Sequence, residues 1–176
     1  MDKKITTKEL VLSGLLLASG IILPMIFHMF VMTGPIALPM HIPVLIGGFL
    51  LTSKLALALG IMTPVISGLL TGMPVMFPMS IIMAVELGIY GLTASLATRK
   101  YNLSTIPSLI ISMVTGRIGA GLTVAALVAL FGIKMNPVMF VKGAIVTGLP
   151  GIIIQLIFIP SLIYGINAYM KKTSRA

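Results

Sequence analysis

The sequence contains no cysteine, which excludes disulfide bridges, thiolate catalysis and cysteine-ligated metals without assigning a compartment. Charge is scarce as well. Of 176 residues 9% are charged and 58% hydrophobic, too little polar surface to cover a water-soluble sphere. Regular alternation of polar and apolar residues is missing: stretches 106–114 and 152–159 are apolar at nearly every position. A transmembrane β-barrel, built from alternating segments of ~10 residues, is thereby excluded. There is no Walker sequence, no zinc-protease motif and no nucleophile paired with a base, so an enzyme is not expected. The glycines of Gly116-Arg117-Ile118-Gly119-Ala120-Gly121 make no nucleotide loop, because they lie inside an apolar run with no preceding strand. No long loop is present that would hold a second domain.

What remains is a series of apolar stretches that approach or exceed the ~20 residues needed to cross a ~30 Å hydrocarbon layer. The turns between them carry proline, asparagine, lysine and arginine. This predicts an all-α integral membrane protein, a compact bundle of six transmembrane helices in a single domain over 1–176. The expected spans are 10–31, 42–52, 55–70, 80–98, 104–131 and 138–169. The start of the chain, with Lys3, Lys4 and Lys8 before an apolar run and Ala18-Ser19-Gly20 within it, resembles a signal peptide; the run continues to about Met32 and is read as helix 1. Helix 3 is expected to bend at Pro64, and helix 6 to be interrupted by Pro150 and Pro160. The prolines of 33–39 and 72–78 oppose helix and predict loops 1 and 3. Helix 2 is short, its ~12 residues rising only ~18 Å. It either borrows the preceding loop or sits partly inside the bundle.

The formal charge is +9, yet the cations sit at the ends of apolar runs, so they orient the chain rather than bind nucleic acid. With the N-terminus inside, the cytoplasmic turns hold Lys3, Lys4, Lys8, Lys54, Arg99, Lys100, Lys171, Lys172 and Arg175, while the outer turns hold Lys134 and Lys142. Both ends are expected in the cytoplasm.

Two charges fall well inside spans, Glu86 on helix 4 and Arg117 on helix 5. Intramembrane ionisable residues are costly enough to be functional candidates by default. Counted from the cytoplasmic ends, Glu86 lies ~18 Å up, Arg117 ~20 Å and Gln155 ~21 Å. This predicts a polar layer, either a solute pocket or an ion pair that fixes helix 4 against helix 5. Asn136 and His41 are further candidate solute contacts, and Lys142 reads first as a snorkelling interfacial lysine. His28, His41 and the methionines clustered toward the outer side would suit Cu(I), but they read better as adaptable packing or lid lining, and no metal or cofactor is expected. Small residues recur at i, i+4: Gly14 with Ala18, Gly68 with Gly72, Gly116 with Ala120, and Ala144 with Gly148. Such pairs mark close helix contacts.

The chain resembles the substrate-binding S components of energy-coupling factor (ECF) vitamin transporters. The likeness rests on its size, six expected helices, Leu12-Ser13-Gly14-Leu15-Leu16-Leu17-Ala18, Pro39-Met40-His41-Ile42-Pro43, and Glu86-Leu87-Gly88-Ile89-Tyr90-Gly91. The resemblance implies a prokaryotic plasma-membrane protein that captures a small vitamin or precursor under loops 1 and 3. It would then work with a transmembrane coupling protein and two ATPases. Pantothenate is a candidate solute because it offers a carboxylate, hydroxyls and an amide. The family's Ala-x-x-x-Ala docking motif falls on Gly14 and Ala18, with glycine departing from the pattern. Two other readings compete: an ion-coupled transporter with Glu86 as proton carrier, and a non-transporting membrane scaffold.

Overall fold

A computed structural model describes residues 5–29 and 34–173. Lys3, Lys4, Met32 and Arg175, and the side chains of His28, Lys171 and Lys172, lie outside the described set. The described chain is helical, with α1 Thr7–Met29, α2 Gly34–Ala37, α3 His41–Leu50, α4 Ser53–Thr71, α5 Ile81–Arg99, α6 Thr105–Phe131 and α7 Pro137–Thr173. Among these, α1, α4, α5, α6 and α7 are long and apolar enough to cross a membrane. The second expected span is α3, a helix of 10 residues that rises only about 15 Å. It is buried along most of its length, so the short segment is an inner element of the bundle rather than a lipid-facing rod.

Local chemistry explains most boundaries. Gly72 and Gly132 end α4 and α6 with φ of +75° and +65°, donating their N–H groups to the carbonyls of Gly68 and Val128. A left-handed residue just past the helix end favours glycine. Gly72 is therefore a cap, with open space around its Cα, and not the packing partner of Gly68 that the spacing predicts. At the start of α7, the Asn136 Oδ1 accepts the N–H of Met139 at 3.0 Å, and Pro137 takes the first helical position, where its missing N–H costs nothing.

Two segments expected to be loops contain helical structure. Within 33–39, Gly34–Ala37 forms one helical turn, since Pro35 in a first turn starts a helix rather than breaking one. Within 72–78, an irregular turn begins at Met76 around an extended Phe77 and leads into α5. The expected interruptions at Pro150 and Pro160 do not occur: both prolines lie inside one continuous α7. Neighbouring groups in a membrane bundle re-satisfy the freed carbonyls that would otherwise favour a break.

The most buried span is α5, packed against α3, α4 and α6. Its approach to α4 is set by glycine: a Cβ on Gly60 would strike the Leu87 carbonyl, and one on Gly91 would strike that of Ala56. The core around this crossing holds Val44, Leu45, Leu51, Leu59, Leu87 and Leu109. At the opposite end of α3 from His41, Arg99 donates to the Leu50 carbonyl at 2.6 Å and lies 4.0 Å from Glu9. The start of α1 and the ends of α3 and α5 thus share one face of the bundle.

Candidate functional site

The site begins with a turn of α5. Glu86 and Tyr90 are four residues apart, hence on one helical face, and that face is buried against α3 and α6. Glu86 is 2% exposed. Its Oε1 accepts the Tyr90 hydroxyl at 3.0 Å and lies 2.7 Å from Nη1 of Arg117 on α6. The predicted pairing of helices 4 and 5 is therefore present, as a short charge-assisted contact. Room for it comes from Gly116, where any Cβ would collide with the Tyr90 ring.

His41, the first residue of α3, completes the cluster. Its Nε2 is 3.7 Å from the same Glu86 oxygen, too long for a hydrogen bond, and its ring meets Tyr90 edge-on at 5.5 Å. Both His41 ring nitrogens and Arg117 Nη2 are buried with no hydrogen-bond partner. Buried donors without partners are uncommon in a finished interior and ask for an explanation.

Arg117 has a second environment. Its side chain lines a cleft of about 710 Å³ between α6 and α7, together with Lys142 and an otherwise apolar wall. Glu86, His41 and Gln155 do not line this cleft. Arg117 thus belongs to the Glu86 cluster and also lines an apolar groove.

A family model for the ECF transporter substrate-specific component matches residues 8–163. The chain belongs to that family. No curated protein and no solved structure matches it. As an S component the chain is a multi-pass membrane protein and the substrate-specific component of an ECF transporter.

The other predicted positions of the S component fall apart from the cluster. Gln155 is buried, but its Nε2 reaches the Leu38 carbonyl at 3.5 Å. It ties α7 to the segment before α3 instead of joining Glu86 and Arg117. The Glu–Arg pair meets as the helix rise predicts, whereas the hydrogen bond of Gln155 goes to the backbone before α3. Asn136 is exposed and occupied in capping α7. Gly14 and Ala18 lie on an exposed face of α1, with nothing within 4 Å of a Cβ on Gly14. No group of three or more His, Cys, Asp or Glu side chains suited to a metal occurs among the described residues.

Sequence reasoning missed one participant, Tyr90, which carried a usable signal, its i, i+4 spacing from Glu86. Lys142, read first as an interfacial anchor, lines the same cleft as Arg117.

Proposed function

We propose that this S component captures a small organic solute on the outer side of a prokaryotic plasma membrane and delivers it inward with a coupling protein and two ATPases. Both chain ends face the cytoplasm in this reading, which the lysine and arginine distribution supports. Arg117 carries the proposal. Its Nη1 is held by Glu86 while Nη2 has no partner, so the arginine is oriented by one carboxylate and offers a free edge to another. Glu86 acts as the positioning residue. The exposed Gly14 and Ala18 face supports docking, because small residues allow close approach of a second membrane helix. The ion-coupled alternative needs a carboxylate free to exchange protons, whereas Glu86 is taken up by Arg117 and Tyr90.

Proteoliposomes carrying the S component and its coupling module should accumulate labelled vitamin only with internal ATP. Equal uptake without ATP or without the module would overturn the proposal. Topology can be read directly, since the chain has no cysteine of its own. In intact cells Lys134→Cys should label with an impermeant maleimide and Lys54→Cys should not.

A further inference from the structure

Resting on that importer reading, we infer that the α6–α7 cleft is the cargo chamber, and that its cargo is an amphipathic carboxylate: one anionic head on a predominantly apolar body.

Charge is the first argument. From residue 10 onward Glu86 is the single acidic residue in the sequence, and it is committed to Arg117 and does not line the cleft. Lys142 has no ion-pair partner among the described residues. The cleft therefore presents two cationic groups and no anion. In a low-dielectric setting such a groove favours a ligand that brings the missing negative charge.

Depth is the second. Arg117 lies about 21 Å along α6 from Phe131, and Lys142 about 8 Å along α7 from Pro137. These helices run antiparallel through a short connection, so the cations differ in depth by about 13 Å, with Lys142 the nearer to that connection. Lys142 draws the anion in; Arg117, which also lines the cleft, receives it.

The wall is the third argument. Between the cations it is built from Ile118, Leu122 and Ile145, and beyond Arg117 it continues with Ile110, Val114 and Leu156, none with a hydrogen-bonding group. Each hydroxyl or amide of a cargo would be desolvated there without a partner, at a cost of about 1–3 kcal/mol. Gln155, which would have served such a group, is turned to Leu38. The groove thus discriminates against pantothenate, whose carboxylate comes with two hydroxyls and an amide.

The test uses the full chain in lipid nanodiscs, with protein-free nanodiscs correcting for partition. Octanoate, octanamide, octan-1-ol and pantothenate are compared by native mass spectrometry and ligand-induced thermal shift. Octanoate should bind at least tenfold more tightly than the other three. Lys142→Gln, at an exposed position, should keep the melting temperature, weaken octanoate about threefold and flatten the salt dependence. The double variant Glu86→Gln with Arg117→Gln, which removes both buried charges together, should abolish octanoate binding. Octanol or pantothenate binding as well as octanoate would overturn the inference. So would unchanged octanoate binding in either variant, or an anionic phospholipid retained in the cleft and not displaced by octanoate. The two proposals separate cleanly. ATP-driven uptake of a polar solute without octanoate binding sinks the cargo class alone, whereas octanoate binding without any ATP-driven uptake sinks the importer reading and leaves a carboxylate site with no cargo role.

Discussion

The two sides of α6 differ in how closely they are packed. Toward α5, Gly116 and Gly119 lie against the side chains of Tyr90 and Ile89, and α5 in turn meets α4 at the backbone contacts of Gly60 and Gly91. Toward α7, the same helix leaves a groove of about 710 Å³. Glycine at helical spacing allows backbones to meet without voids, while branched side chains facing a divergent partner leave one. The closed side fixes Glu86, and through it Arg117; on the open side the same arginine lines the groove. Rigidity on one face and access on the other is what a binding site requires of its anchoring residue.

The largest test of this contrast is Glu86→Gln, which strands a buried guanidinium. It should destabilise the protein by roughly 3–5 kcal/mol, read as a lowered thermal midpoint in detergent. In a double-mutant cycle with Arg117→Gln, part of that loss should return; strictly additive losses would deny the pair its structural role. Next comes Gly60→Val, expected to cost about 3 kcal/mol because its Cβ meets the Leu87 backbone and not a movable side chain. A wild-type midpoint would mean the α4–α5 crossing is looser than described. Tyr90→Phe removes one buried hydrogen bond to a charged group while keeping the ring against His41, so about 1–2 kcal/mol should be lost. Smallest in stability is Gly14→Leu on the open face of α1, within about 0.5 kcal/mol of wild type. Co-purification with the coupling module should nonetheless fall sharply. Undiminished capture of that module would remove α1 as the docking face.

Sequence alone determined the membrane class, five of the long helices to within a few residues, and the two intramembrane charges, because hydropathy and the cost of buried charge act locally along the chain. It also carried the family, through short motifs between residues 12 and 91 together with size and helix count. Tertiary structure decided the rest. Whether Glu86 met Arg117, whether Gln155 joined them or turned to Leu38, and whether Pro150 and Pro160 broke α7 all depended on neighbours distant in sequence. The groove depended on more still. Its lining residues are ordinary apolar positions of two spans, and they line a groove only because α7 leaves room against α6 beside Arg117.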